Sequence, residues 1–305
     1  ETVSGPEGDT GIPLSWGETG ILSWTLRSDT PGDRPLTLRD AAGRAAATAT
    51  LSLLPPVDAP KTDYVPRPEP VKTALDVCMY YFPGWENDAK WDCIRNIAPV
   101  RKPLLGYYDE ANPEIVDWQI KWAVENGITC FLVDWYWTAG NQHLTHWFEA
   151  YRKCRYRDQL EVAIMWANHN PPNTHSREDW RAVTHEWIEK YFTLPAYYRI
   201  NGKPAVFLWD PSGLRRDLGG SEEVKAALAD SQQMAKDAGH AGIEFVAMHG
   251  HDAASDAAVL LAEGYAGATN YHEWGRAVEM APAPALARFD DVAATAPEAW
   301  KRRAE

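Results

Sequence analysis

Between Ile128 and Trp137 the chain reads ITCFLVDWYW, six β-formers without a polar interruption, then an acid and three aromatics. An apolar run that does not alternate is the pattern of a strand buried on both faces of a parallel sheet. Asp134 falls where that strand would emerge. Ahead of it lies an amphipathic helix, with Asn112 as N-cap, Pro113 at the first helical position, Val116, Ile120, Ala123 and Val124 on one face, and Gly127 as the stop. Helix, short turn and buried strand make half of a parallel α/β repeat.

The same alternation runs through most of the chain. Strands are expected at Ala74–Phe82, Leu160–Trp166, Pro204–Asp210, Ile243–Met248 and Tyr265–Tyr271. A helix over about Arg177–Tyr191 has Ser176 and Asp179 as a capping pair and Trp180, Val183, Thr184, Trp187, Ile188 and Tyr191 at helical spacing. Ser221 is expected to cap another, with Glu222 and Glu223 in its first turn, Val224, Leu228 and Ala235 inward and Gly239 near its end. Further helices are expected over about Asp252–Glu263 and Asp290–Arg303. The first 56 residues differ, with short β-prone runs (Gly20–Leu26, Leu36–Leu38, Ala46–Leu54) between Pro-Gly and Ala-Gly turns. They read as the C-terminal part of a small, immunoglobulin-like β-sandwich. Residues 57–73 belong to a proline-rich linker, six prolines falling between Pro55 and Pro70. Residues 74–305 then carry the α/β repeats.

Strands alternating with helices fit a (β/α)8 barrel or an open doubly wound sheet. No G-x-G-x-x-G or P-loop pattern follows any strand, which lowers the nucleotide-binding version. The strand ends favour the barrel: Tyr81 and Phe82, Asp134 to Trp137, Trp166 to Asn170, Trp209 and Asp210, His249 and His251, and Asn270 to Trp274 are all polar or aromatic. In a barrel these ends converge on one rim. The expectation is an α/β, TIM-type barrel that is incomplete here, about six repeats where closure needs eight. The chain also starts at Glu1 without an initiator Met or signal peptide, and truncation at both ends is expected.

Composition narrows the partners. A net charge of −13 argues against nucleic acid or an anionic membrane, and no apolar run reaches the roughly 18 residues of a membrane span. Fifteen Trp and thirteen Tyr against seven Phe favour rings with a flat face and a hydrogen-bonding edge, which suit sugars as well as cores. Cys78, Cys93, Cys130 and Cys154 are too scattered for a disulfide scaffold or zinc site and read as packing thiols.

YYFPGWEND (Tyr80–Asp88), LGYYD (Leu105–Asp109), WAVENGITCFLVDWYW (Trp122–Trp137) and WANHN (Trp166–Asn170), in this order and at strand ends, resemble the glycoside hydrolase family 99-like, or WbsX-like, proteins. The resemblance covers three quarters of the chain, from about Val77 to Glu305. It implies a (β/α)8 glycan-active enzyme. Endo-α-mannosidase activity is the best understood chemistry of the wider group, and WbsX-like proteins are often labelled as glycosyltransferases of polysaccharide synthesis. In the mannosidases one carboxylate deprotonates the substrate's own 2-hydroxyl to form a 1,2-anhydro sugar while a second protonates the leaving oxygen, unlike the usual retaining pair. Their carboxylates lie in a stretch resembling N-E-W-x-E-G, which is absent here. Glu186, Trp187, Ile188 and Glu189 have the E-W-x-E spacing but read as helix surface. After Glu273 and Trp274, Arg276 and Ala277 replace the second acid, so the family pair is expected beyond Glu305.

The candidate catalytic residues are therefore Asp134, Asp210 and Glu273, the two aspartates otherwise reading as caps of following helices. Candidate sugar contacts are Tyr81, Trp85, Tyr107, Tyr108, Asp134, Trp135, Tyr136, Trp137, Trp166, Asn168, His169, Asn170, Asp210, His249, His251 and Tyr271; some of the aromatics would be core instead. His249 and His251 form an H-x-H pair, but on a fifth strand rather than the first, where barrel metallohydrolases carry it, so no metal and no cofactor is expected. The reading is a glycan-active protein taking an oligo- or polysaccharide, a hydrolase of α-linked glycan first, a non-catalytic carbohydrate-binding protein or a glycosyltransferase as alternatives. The compartment is not legible; periplasmic or extracellular placement is the expectation.

Overall fold

The structure, a computed structural model, describes residues 2–4, 25–26, 30–39, 42–53, 62–97, 101–248, 253–271 and 289–304. It divides into two compact units, Glu1–Thr62 and Asp63–Glu305. In the first, strands Gly32–Arg39 and Ala45–Leu53 pair antiparallel, with Pro35 opposite Thr50, and the short strand Thr2–Ser4 pairs with Thr25–Leu26.

The second unit is built on six parallel strands: β1 (Cys78–Tyr81), β2 (Cys130–Thr138), β3 (Glu161–Trp166), β4 (Lys203–Leu208), β5 (Glu244–Met248) and β6 (Gly267–Thr269). Each pairs in parallel with the next in sequence. The spatial order thus follows the chain order without a reversal. A doubly wound sheet must reverse at its switch point, so the winding is that of a (β/α) barrel. The sheet also curls. Tyr80 on β1 reaches Phe207 on β4 (ring centroids 6.4 Å apart), the Met248 sulfur on β5 (3.8 Å) and Tyr271 just after β6 (4.8 Å). Contacts between the first strand and the last three exist only across a concave interior. The unit is a six-stranded partial TIM-type barrel.

Among the described residues, the helices that clothe the outside include α1 (Pro113–Glu125), α2 (His146–Lys153), α3 (Arg177–Glu186), α4 (Pro211–Leu218), α5 (Ser221–Asp237) and α6 (Ala253–Glu263). α1 begins as its sequence dictates, the Asn112 side chain accepting from Glu114 N and Pro113 supplying a first residue without an N–H. Gly127, with φ of 81°, turns the chain into β2. α3 continues as one π-helical turn, Trp187–Tyr191, that buries Trp187, Ile188 and Tyr191. Two expectations are corrected. The cap of α5 is Gly220, at φ 135°, and Ser221 is the first helical residue. α2 was not anticipated, because its eight residues give too little periodicity to register, whereas α4 is the helix foreseen in the alternative reading of Asp210 as a cap.

Strand parity sorts the side chains. In β2, Cys130, Leu132, Asp134 and Tyr136 turn to the interior, while Phe131, Val133, Trp135 and Trp137 turn to the helices. Register carries this across the sheet, since Asp134 lies beside Met165, Met165 beside Phe207 and Phe207 beside Val246. On the helix side Trp135, Trp166, Trp180, Trp187, Tyr191 and Phe245 pack ring to ring, with centroids 5.6 to 6.5 Å apart for most contacting pairs. Two of the four indole N–H groups are satisfied in place, Trp135 Nε1 donating to the Tyr191 hydroxyl at 2.8 Å and Trp180 Nε1 to Ser231 Oγ at 2.7 Å, while Trp166 Nε1 and Trp187 Nε1 are buried without a partner among the described residues. Much of the tryptophan excess is therefore structural.

Candidate active site

At the C-terminal end of the barrel interior, one acid sits among rings from several strands. Asp134, the fifth residue of β2, is only 5% exposed. The Tyr271 hydroxyl donates to its Oδ2 at 3.0 Å, while its Oδ1 is buried with no hydrogen-bond partner among the described residues. Removing a carboxylate from water without pairing it with a cation disfavours the charged form. Burial accordingly pushes the Asp134 pKa from 3.8 to about 7, and the Tyr271 hydrogen bond offsets only part of that rise. The field of Asp134 is felt in return: burial and then Asp134 push Tyr136 up to about 12, and the same causes raise Tyr271.

The walls come from the strand ends around it. Tyr80 lies against Tyr271, and Trp209 meets Tyr271 edge-on at 4.7 Å. Tyr136 is flanked by Phe82 at 6.4 Å and by His169 at 6.1 Å, and His169 is also 5.9 Å from Trp209. Phe82 is 51% exposed, so it stands at the mouth. Gly84 permits that position, because a Cβ there would strike the Phe82 ring.

The loops behind these walls are pinned by side chains that do not face the pocket. Asn168 is buried and clamps the end of β3 to the end of β4: its Nδ2 donates to Asp210 O at 2.9 Å and its Oδ1 accepts from Asp210 N at 2.6 Å. Asn170 Nδ2 donates to Trp137 O at 2.8 Å and its Oδ1 accepts from Thr138 Oγ1 at 3.1 Å. His169, between two anchored asparagines, is left exposed over the pocket. Asp210 caps α4, its Oδ1 accepting from Gly213 N at 2.7 Å.

The structure thus brings Asp134, Tyr136, His169 and Tyr271 together and, among the described residues, places the other expected ones elsewhere. Trp135 and Trp166 are at most 1% exposed on the helix side, and Trp137 is buried there with its Nε1 on Asp179 Oδ1 at 2.8 Å, so none presents a face to a ligand. Asn168, Asn170 and Asp210 are spent on loop hydrogen bonds. Tyr81 points opposite to Tyr80: its ring stacks on Phe131 at 5.0 Å, and its hydroxyl donates to the buried Glu110 carboxylate and accepts from Gln119 Nε2 at 2.8 Å. Trp85, Tyr107 and Tyr108 gather around Trp91 instead, Trp85 stacked on it at 3.6 Å and Tyr108 O accepting from its Nε1 at 2.8 Å. The Arg95 guanidinium covers Tyr107 at 4.5 Å. His249, His251 and Glu273 lie outside the described residues. Tyr80, Phe82 and Trp209 were missing from the expected contacts. The signal that finds Tyr80 and Trp209 is parity, each lying an even number of residues from an interior neighbour once one interior residue per strand is known.

A family model described as glycosyltransferase WbsX matches residues 98–284. Among solved structures, the GH99 endo-alpha-mannosidase from Bacteroides thetaiotaomicron is similar at 17% identity and a TM-score of 0.48, over 67% of this chain and 66% of that one. A second structure of that enzyme, in complex with bis-tris-propane, is similar at 19% identity and a TM-score of 0.48, over 67% and 64%. The chain spans slightly less than two thirds of the length of these structures. No curated protein matches it.

Proposed function

From the premise that this chain belongs to the WbsX glycosyltransferase family, we propose that it is a glycan-processing enzyme whose reaction centre is the Asp134 pocket. The observation that carries the reading is a buried carboxyl, enclosed by tyrosine, tryptophan and histidine rings, that burial pushes up to about 7 and whose Oδ1 has no partner among the described residues. A group poised near neutrality exchanges protons in either direction at little cost, which is what acid–base catalysis requires. Flat rings with polar edges receive the apolar faces of a pyranose and bond its hydroxyls.

Hydrolysis of an α-linked glycan is the finer form of the proposal, in keeping with the GH99 endo-alpha-mannosidase to which the chain is similar. Glycosidic cleavage needs a second carboxyl group in most such enzymes. Glu273, two residues after Tyr271 in sequence, is the proposed partner, with His249 and His251 proposed as sugar contacts. Transfer of a sugar to an acceptor is the second reading, and the description of the family favours it.

The test is product analysis after incubation with a panel of α-linked oligosaccharides, mannosides included. Cleavage by the wild-type protein that falls by roughly 10²- to 10⁴-fold in Asp134→Asn supports the proposal. Undiminished cleavage by that variant refutes the placement of the site. Turnover of a sugar nucleotide, with no cleavage of any oligosaccharide, selects transfer over hydrolysis.

A further inference from the structure

We propose that Tyr271 is a positioning residue that fixes which oxygen of the neutral Asp134 carboxyl carries the proton, leaving it on Oδ1, from which it is given to the leaving group. The proposal rests on the reading of this pocket as the reaction centre. Its basis is the asymmetry of the two carboxyl oxygens: Oδ2 receives the Tyr271 hydroxyl at 3.0 Å, and Oδ1 is buried with no partner among the described residues. In a neutral carboxyl the carbonyl oxygen is the better hydrogen-bond acceptor, so donation from Tyr271 makes Oδ2 the carbonyl and leaves the proton to Oδ1.

Tyr271 is held for this task. Its ring is tilted against Tyr80 at 4.8 Å and meets Trp209 edge-on at 4.7 Å, which confines the hydroxyl beside Oδ2. The titratable side chains that the described strands turn toward the pocket are Tyr80 from β1, Tyr136 from β2, His169 after β3 and Tyr271 after β6; β4 and β5 bring Trp209 and Met248, which do not titrate. Burial holds Tyr80, Tyr136 and Tyr271 above the ordinary tyrosine range, so among the described residues these three bring no charge to Asp134 at pH 7.

The chemistry follows from the ligand's own atoms. A glycosidic oxygen carries lone pairs and no hydrogen, so against it Oδ1 can be satisfied only as a donor. As the bond from the anomeric carbon to that oxygen breaks, its electron pair stays on the oxygen and the Oδ1 proton moves to it, releasing an alcohol. Water adds to the anomeric carbon and loses a proton to solvent. Asp134, left as a carboxylate that Tyr271 still hydrogen-bonds, is reprotonated from solvent, and the sum is one water consumed per bond.

Infrared difference spectra of wild type against Asp134→Asn, over pH 5 to 9, read the proton directly and need no substrate. The expected result is a protonated-carboxyl band in wild type that disappears as pH rises through about 7. In Tyr271→Phe, which keeps the ring packing, the carbonyl loses its donor: the band moves to higher frequency and its midpoint rises by about half to one pH unit. On a cleaved oligosaccharide the same variant shifts the alkaline limb of kcat upward by that amount with KM little changed. A midpoint that stays or falls in Tyr271→Phe overturns the proposal, as does a wild-type carboxyl already ionised at pH 5. Glycan cleavage undiminished in Asp134→Asn, with the infrared behaviour as stated, refutes the site reading and the acid role together while leaving the proton on Oδ1. The two failures are thereby told apart.

Discussion

Replacing Asp134 with Asn removes an ionisation that the fold opposes, and the effect on stability should depend on pH in a way few substitutions do. Raising the midpoint from 3.8 to about 7 makes the ionised carboxyl cost about 4 kcal/mol in the folded chain, at about 1.4 kcal/mol per pH unit. Because the folded-state value is the higher one, the folded chain keeps a proton that the unfolded chain has released. Wild-type stability from this group therefore falls as pH climbs from about 4 to about 7 and is level above that. Asn imitates the neutral acid and still offers an oxygen to the Tyr271 hydroxyl. Relative to wild type, Asp134→Asn should gain about 2.5 kcal/mol between pH 5 and pH 8. Urea denaturation followed by tryptophan fluorescence at several pH values measures it, and the difference between the two proteins cancels every other titration. A difference that is flat over that range, or that moves against the variant as pH rises, would refute the account of Asp134 as a buried, uncompensated acid.

Other substitutions separate scaffold from site. Trp166→Ala should cost about 3–5 kcal/mol, because the ring is fully buried between strands and helices, and denaturation midpoints would show it. Asn168→Ala should cost about 1–3 kcal/mol by leaving Asp210 N unpaired and Asp210 O with Leu214 N as its remaining donor at the joint between β3 and β4. Trp209→Ala should leave stability less affected but weaken oligosaccharide binding by about 0.5–1.5 kcal/mol, measurable by calorimetry. Gly84→Ala forces the exposed Phe82 ring aside and should change ligand affinity more than the melting temperature.

How much of this was legible in the sequence depended on the range of the signal. β2 and α1 were legible because a run of buried residues and a capped, proline-started helix are local patterns. So was the barrel winding, inferred from polar and aromatic strand ends and met by six strands in sequential order. The resemblance carried by LGYYD, WAVENGITCFLVDWYW and WANHN falls within the region that the family model matches. The face each ring occupies was not legible. In DWYW the four residues alternate between the interior and the helices, yet all four look like sugar contacts, and nothing in a run buried on both sides says which parity faces in. Asn168 and Asn170 misled for a related reason: a hydrogen-bonding side chain at a strand end serves a ligand or a neighbouring loop equally well. The partners that decide it, Asp210 and Trp137, lie tens of residues away.

The most direct test of the central claim is the rate of oligosaccharide cleavage against pH for wild type and Asp134→Asn side by side. An acid with a midpoint of about 7 predicts a wild-type rate that falls as pH rises past that value, and a variant slower by roughly 10²-fold or more at pH 6. A variant that cleaves as fast as wild type, with the same pH profile, would contradict the assignment of this pocket as the reaction centre.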